Sequence, residues 1–308
     1  MEQMSPDTFK LNTLKLFRDF NMTYKFKHHS YDLSSRTFIM GVLNITPDSF
    51  SDGGKYYKNK PDIDKILRDA EQMVEDGADF LDIGGESTRP GSDKISDDEE
   101  LQRVIPVIEK LVNLTDIPLS IDTYKSNVAD EALNAGVEIV NDISGFRADE
   151  KIAEVTSRYD ASCILMHIKG SPKNMQVNPV YEDVTNEVKE YLQDSINIAE
   201  SNGVKQIFTD VGIGFGKTLE HNLKLLNDLR EIRDLGYPVV LGVSRKSFID
   251  KIYPVKIENR LEGTFAANTF GVMNGANVIR VHDVKENKRA MRVIDAIKFN
   301  KVYNGSKS

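Results

Sequence analysis

The chain has a single cysteine among its 308 residues and contains no long hydrophobic run. A lone thiol cannot form an intramolecular disulfide, and Cys163 lies inside an apolar segment, where a cysteine is usually packed. None of the apolar segments approaches the roughly 18 residues that a membrane-spanning helix needs. The N-terminal residues also lack the apolar core of a secretory signal. We therefore expect a cytoplasmic protein with no membrane partner.

Positive charge is scarce as well, because 40 Lys and Arg residues face 48 Asp and Glu residues and give a net charge of -8 at pH 7. Proteins that bind nucleic acid neutralise its phosphates with a basic surface. The composition therefore argues against nucleic acid as a partner and favours small-molecule substrates. An anionic substrate would need a local cluster of cations in this acidic chain.

Eight short apolar runs alternate with segments of helical periodicity, and each run ends in a polar or charged residue. The runs end at Asn44, at Gly84 to Glu86, at Asp122, at Asn141 with Asp142, at His167, at Asp210, at Ser244 to Lys246, and at Arg280 with His282. A parallel barrel buries its strands on both sides and gathers their carboxyl ends around one mouth. The pattern predicts an α/β fold, a (β/α)8 TIM barrel over residues 37–308. Residues 1–36 are predicted to be an extension in which a hairpin or a helix closes the barrel bottom.

Three acceptor side chains follow apolar runs and are expected at this mouth: Asp122, Asn141 and Asp210. Each of them alone is equally well explained as a structural residue, since aspartate and asparagine at strand ends also cap helices. Together they suit the amino and ring N–H groups of a flat nitrogen heterocycle, because a carboxylate can accept two parallel N–H bonds. The set indicates a pterin or a purine.

The loops after the seventh and eighth strands carry the cations Arg245, Lys246, Arg280 and His282. Barrels most often bind phosphate at these two loops, so the residues predict an anion site. Ser247 opens a helical segment there, where its hydroxyl and free N–H groups can hold a carboxylate.

Two long loops, residues 44–54 and 84–91, complete the predicted mouth. Asn44 ends a strand with an amide oxygen that can bind a metal, and Arg89 offers a planar fork of donors suited to phosphate. A glycine-rich stretch at residues 212–217 lacks the spacing of a dinucleotide loop or a P-loop. It is weak evidence for nucleotide binding.

The motifs LNITPDSFSDGG, DIGGESTRPG, SIDTYK, NDISG, MHIKGSP with NMQ, GIGFGK, SRKS and RVHDV resemble, in this order, those of the dihydropteroate synthases. The resemblance covers about residues 38–300. It implies a pterin-binding barrel that condenses a hydroxymethyl-dihydropterin diphosphate with para-aminobenzoate, uses Mg²⁺ and forms a homodimer.

The resemblance also implies a role for individual residues. The pterin would be held by Asp122, Asn141, Asp210 and Lys246. The diphosphate would be held by Asn44, Arg89, Arg280 and His282, with Asn44 as the metal ligand. The aminobenzoate would be surrounded by Phe50, Thr88, Phe215 and Ser247, and catalysis would involve Asp52, Asp122, Lys246 and His282. One position departs from the family pattern, since Val211 stands where proline usually follows the pterin-binding aspartate.

Two other functions stay open from sequence. A methyltetrahydrofolate-type methyltransferase shares the pterin barrel, but it needs neither the cation cluster nor the aminobenzoate residues. A non-catalytic pterin-binding paralogue would be expected to have lost members of the cation cluster, and all of them are present.

Overall fold

A computed structural model of the protein describes residues 22–46 and 61–300. Within these ranges eight parallel strands close into a barrel, which confirms the predicted TIM barrel. The barrel strands are β3 (Phe38–Asn44), β4 (Phe80–Gly84), β5 (Leu119–Asp122), β6 (Ile139–Asp142), β7 (Ser162–Met166), β8 (Ile207–Asp210), β9 (Val239–Leu241) and β10 (Ala276–Val281). They follow one another around the barrel in chain order, and β10 pairs with β3 to close it.

Helices follow the strands and form the outer layer. They are α1 (Ile63–Glu75), α2 (Asp97–Leu114), α3 (Ser126–Asn134), α4 (Ile152–Arg158), α5 (Val184–Ser201), α6 (Leu219–Asn227), α7 (Leu229–Arg233), α8 (Ser247–Ile252), α9 (Leu261–Met273) and α10 (Val284–Phe299). Side chains with local sequence signals begin several of them. Ser96 accepts from the N–H of Glu99 and caps the start of α2.

The interior of the barrel is filled by alternate residues of its strands, because successive side chains of a strand point to opposite faces. The lower part is an apolar layer made of Phe38, Met40, Phe80, Ile139, Ile164, Phe208, Val240 and Val278. The next inward position of several of these strands carries a polar side chain. Because every second side chain of a strand faces the interior, the same strands provide both the apolar floor of the mouth and the polar groups that line it.

The N-terminal part of the described chain forms a hairpin of β1 (Thr23–Lys25) and β2 (Ser30–Asp32). Tyr24 is buried, packs edge-on against Phe208, and donates its hydroxyl to the carbonyl of Ile207 at the start of β8. Leu33 joins the same apolar layer. The hairpin therefore covers the amino-terminal ends of the strands and leaves the opposite end as the mouth.

No helix in the described ranges is long and apolar enough to cross a membrane. The cytoplasmic location expected from the sequence stays a prediction.

Candidate functional site

Four inward-facing acceptor side chains lie above the apolar floor: Asp82, Asp122, Asn141 and Asp210. Asp122 and Asn141 are paired in register on neighbouring strands, and the amide of Asn141 donates to Asp82 Oδ2 over 3.1 Å. All but Asp122 are buried, and Asp122 is largely so. The structure thus brings together the three acceptors identified from the sequence and adds Asp82, which the sequence reading missed.

Arg280 connects two of these carboxylates. Its Nε lies 2.5 Å from Asp82 Oδ2, and its second terminal nitrogen lies 2.8 Å from Asp122 Oδ2. The guanidinium therefore lies across the mouth and neutralises both acids. It is part of the acceptor set as well as of the predicted anion site.

Two carboxylate oxygens in this group are buried without a hydrogen-bond partner in the described ranges, namely Asp82 Oδ1 and Asp122 Oδ1. Burial, and then the charge of Asp82, raises the pKa of Asp122 to about 7, although Arg280 opposes the rise. A buried acceptor without a donor is costly, by roughly 1–3 kcal/mol. The mouth is therefore suited to a ligand whose N–H groups reach these oxygens.

The predicted cations Arg245, Lys246 and Arg280 are present around His282, but His282 itself is not a cation, as the sequence had predicted it to be. Burial, and then the positive charges of Arg280, Arg245, Lys246 and Arg89, lowers the pKa of His282 to about 3. The imidazole is therefore neutral at physiological pH, and its Nδ1 lies 3.0 Å from the hydroxyl of Ser244. Arg245 shares its charge with Asp283, since its Nε lies 2.9 Å from that carboxylate.

Lys246 lies between the acceptor group and an aromatic side chain. Its Nζ is 4.7 Å from the centre of the Phe215 ring and donates to the carbonyl of Ile213. Lys246 Nζ and Asp210 Oδ2 both lie 3.8 Å from the position that a Cβ would take at Gly242. Burial lowers the pKa of Lys246 to about 8, against the opposing charge of Asp210. Lys246 and Asp210 therefore both lie beside Gly242.

The loop that carries Thr88 and Arg89 is anchored by a buried ion pair. Glu86 accepts from Lys125 Nζ over 2.6 Å and from the hydroxyl of Tyr124 over 2.6 Å. Lys125 also contacts Glu100, at 2.7 Å. Thr88 and Arg89 are half-buried on this loop, and the effect of Arg89 on His282 places its charge at the mouth.

Asn44 ends β3 at the rim of the same mouth. A Cβ at Gly84 would lie 3.6 Å from Asn44 Oδ1 and 3.6 Å from Asp122 Cβ, so the amide oxygen lies beside the acceptor group. Ser247 is exposed and is the first residue of α8, as expected. Phe50 and Asp52 lie outside the described residues, so the predictions for them remain as the sequence made them.

An apolar cluster at the mouth was also missed by the sequence reading. It consists of Tyr124, Ile143, Met166, Ile168 and Met175, with Phe215 packed against it. Met166 is the inward position at the end of β7, in register with Asp210 on β8. The mouth therefore offers an apolar side to a flat ring whose edges meet the carboxylates.

The family model of pterin binding enzymes matches residues 40–282. Dihydropteroate synthase of Clostridium beijerinckii is 47% identical over 270 residues, which is 87% of this chain and 96% of that protein. Among solved structures, dihydropteroate synthase of Clostridium difficile in the presence of pteroic acid is 48% identical, with a TM-score of 0.79 and coverage of 87% of this chain and 98% of that one. The Thermus thermophilus enzyme in complex with 4-aminobenzoate is 40% identical, with a TM-score of 0.79 and coverage of 89% and 99%.

Proposed function

The chain belongs to the pterin-binding enzyme family, among the dihydropteroate synthases, and from that premise we propose how its residues divide the work of the reaction. The substrates are a hydroxymethyl-dihydropterin diphosphate and para-aminobenzoate, and the products are dihydropteroate and diphosphate. The observation that carries the proposal is that Asp122 Oδ1, buried with no hydrogen-bond partner among the described residues, lies in one apolar-floored mouth with the cations that surround His282.

The acceptor group binds the pterin ring. Asp122 and Asp210 accept the amino and ring N–H groups, while Asn141 and Lys246 bind the remaining edge. Asp82 positions Arg280 and Asn141, since a single oxygen of its carboxylate accepts from both. The apolar cluster around Met166 packs against the face of the ring. Charge-assisted bonds in a buried site hold the ring in one orientation, so that its methylene carbon points to the cations.

The chemical step requires no nucleophile from the protein. The amine nitrogen of para-aminobenzoate forms a bond to the methylene carbon, the bond from this carbon to the diphosphate oxygen breaks, and its electron pair leaves with the diphosphate. The attacking nitrogen then loses a proton. Because negative charge grows on the leaving oxygens, Arg89, Arg280 and His282 stabilise the transition state more than the ground state. The carboxylates of the acceptor group favour the positive charge that develops on the pterin and its methylene.

We propose Mg²⁺ as the metal, held by Asn44. In the described ranges no group of three or more His, Cys, Asp and Glu side chains could bind a metal ion. A single amide oxygen at the rim still fits Mg²⁺, which keeps several waters and takes oxygens from substrate phosphates. When bound, the ion would supply further positive charge to the leaving diphosphate.

The aminobenzoate site lies on the other side of Lys246. Phe215 supplies an aromatic wall, Thr88 is contributed by the loop after β4, and Ser247 offers its hydroxyl and backbone N–H to the carboxylate. Phe50 is assigned to this site from the family resemblance alone. Ordering the amine between Phe215 and the methylene carbon replaces a bimolecular encounter by a positioned one.

The function is tested by measuring diphosphate release by the purified full chain, with and without para-aminobenzoate. Release that depends on the amine supports the proposal. Release without the amine indicates hydrolysis of the pterin substrate, while binding of the pterin with no release under either condition indicates a non-catalytic paralogue. Methyl transfer from methyltetrahydrofolate by the same preparation would favour the methyltransferase.

The pH profile of kcat/KM for the pterin diphosphate should have an acid and an alkaline limb, because this parameter reports groups of the free enzyme. The pKa of Asp122 is raised to about 7, so this acceptor is ionised only above about pH 7. The pKa of Lys246 is lowered to about 8, so this cation is charged only below about pH 8. We expect kcat/KM to fall on the acid side as Asp122 is protonated and on the alkaline side as Lys246 loses its proton.

Lys246→Arg separates the two limbs, because arginine stays charged throughout the range. In this variant the acid limb should remain and the alkaline limb should disappear, whatever the absolute rate. An alkaline limb that persists unchanged would show that Lys246 is not the titrating group.

We further propose that the protein is a homodimer, joined through α9 and α10. These helices are adjacent, since Lys298 Nζ donates to the carbonyl of Val272. Together they expose the large apolar side chains Phe270, Met273, Val293 and Ile297. Large apolar side chains exposed on two adjacent helices favour a protein interaction site on this face.

Ile297→Glu should convert the dimer to a monomer in sedimentation velocity experiments, because it places a charge in the apolar contact. Val177→Glu is the control, since Val177 is 78% exposed and lies on the loop after β7, away from α9 and α10 in the chain. A dimer that survives in Ile297→Glu would rule out this face.

A further inference from the structure

The segment after β8, residues 211–217, carries Phe215 and lies directly against the backbone that follows β7. A Cβ at Gly212 would come within 2.0 Å of the carbonyl oxygen of His167, and one at Gly216 within 2.3 Å of that of Lys169. Both glycines have positive φ, at 66° and 65°. Only glycine permits this conformation and this close approach. The loops after β7 and β8 therefore meet backbone to backbone, and Phe215 lies on the loop after β8.

Lys217 is the last residue of this segment and one of the most deeply buried charged residues of the described chain, with 1% of its surface exposed. Its Nζ lies 2.9 Å from the carbonyl oxygen of Phe215, 2.7 Å from Nδ1 of His167 and 3.4 Å from the carbonyl oxygen of His167. An ammonium has three N–H donors and no acceptor. Burial lowers the pKa of Lys217 well below its ordinary value, against the opposing charge of Asp210, and the three neighbouring acceptors match the three donors of its charged form.

His167 is the matching partner. Burial, and then the charge of Lys217, lowers its pKa to about 2, so the imidazole is neutral. Its ring is fixed by an edge-on contact with Tyr191, with 4.7 Å between the ring centres. Because the ring is neutral, Nδ1 can accept from Lys217 while the other nitrogen carries the proton. None of the roles assigned above to residues of the mouth uses this pair.

We propose that Lys217, held by His167, is a positioning residue for the aromatic amine, an inference that rests on the assignment of Phe215 to the aminobenzoate site. Lys217 Nζ donates to the Phe215 carbonyl, while Lys246 Nζ contacts the Phe215 ring and donates to the carbonyl of Ile213. Two lysines thus hold one short loop through its backbone carbonyls. Lys217 sets where the aromatic wall lies without touching the amine itself.

The test is the effect of Lys217→Met on each substrate separately. Methionine keeps an unbranched, flexible side chain to fill the space but removes all donors. The carbonyl of Phe215 therefore loses its hydrogen bond from residue 217. The KM for para-aminobenzoate should rise about tenfold, and the dissociation constant of the pterin diphosphate, measured without the amine, should change less than twofold. Lys224→Met is the control, because Lys224 is an exposed lysine paired with Asp228 on α6, and both constants should stay as in the parent protein.

A double-mutant cycle shows whether Lys217 acts through the ring. Phe215→Ala keeps the carbonyl but removes the wall, so Lys217→Met should have no further effect on the KM for para-aminobenzoate in that background. An additive effect, or equal effects on both substrates, would overturn the proposal. If Phe215→Ala alone leaves this KM unchanged, the assignment of Phe215 to the amine site has failed instead.

His167 provides a second route that does not depend on the folding of Lys217→Met. His167→Leu removes the acceptor and should raise the KM for para-aminobenzoate, whereas His167→Asn presents an oxygen near the position of Nδ1 and should restore most of the loss. Equal values of this KM in the leucine and asparagine variants would overturn the proposal.

Discussion

Replacing Arg280 by alanine should lower kcat by about 10²- to 10³-fold, the range found when one donor to a developing oxyanion is removed. Arg280 is partly buried, and its charge is held in place by Asp82 and Asp122, so it needs little reorganisation when the diphosphate leaves. Steady-state kinetics at saturating pterin diphosphate and para-aminobenzoate measure the effect. A smaller loss of pterin-ring affinity should accompany it, because two buried carboxylates lose their counter-ion.

His282→Ala separates the fall in kcat from the loss of pterin-ring affinity. His282 is a neutral imidazole beside the same cations, and its hydrogen bonds run to Ser244 and not to the carboxylates. We expect a reduced kcat with unchanged affinity for a pterin that lacks the diphosphate. If binding of this truncated pterin falls as far as turnover does in both variants, the two residues do not act on the anion.

The sequence predicted the barrel and most of the mouth because both depend on the same period of two. Ile139 faces the barrel interior, so Asn141 faces it too, and Asp142 points outward. Asp142 instead accepts from the N–H groups of Ser144 and Phe146 and holds the turn after β6. The position at the end of a strand indicated that these residues lie near the mouth. The alternation of side chains along the strand decides that Asn141, and not the adjacent Asp142, lines the site.

Asp82 was missed because it lies inside an apolar run, between Leu81 and Ile83, and not at its end. The signal was present in the alternation from Phe80 to Gly84, since an inward residue two positions above a core phenylalanine reaches the mouth. A fully buried acid in a strand needs partners, and here these are Arg280 and Asn141. They come from distant strands, so only the closed barrel reveals them.

The pairing of Lys217 with His167 could not be predicted in this way, because the two residues are 50 positions apart in the chain and both lie in loops. Loop conformation depends on backbone contacts such as those of Gly212, which periodicity does not describe. One helix boundary was also wrong. The sequence pattern of residues 219–234 predicts one helix, yet the helix breaks at Asp228. The side chain of Asp228 accepts from Thr185 and Lys224, which ties the break to α5.

Asp210→Asn should weaken pterin binding by about 1.5–3 kcal/mol, or roughly 10- to 150-fold in the dissociation constant. Asp210 is buried, and its Oδ1 accepts from the N–H of Gly212 over 2.7 Å. The amide oxygen of asparagine can keep this backbone contact. Its NH₂ group then takes the place of the oxygen that faces the ligand, so a donor meets the N–H donors of the pterin. The charge that neighbours Lys246 is lost as well.

Calorimetric titration with a pterin measures the change, and Asp142→Asn is the matched control. Both residues are buried aspartates at strand ends, and burial raises the pKa of each. Asp142 holds only its own turn, so Asp142→Asn should lower the melting temperature and leave pterin affinity as it was. Asp210→Asn should show the reverse. An unchanged dissociation constant in Asp210→Asn would remove this residue from the pocket, and the ring would then have to be held by Asp122 and Asn141 on the far side of the mouth.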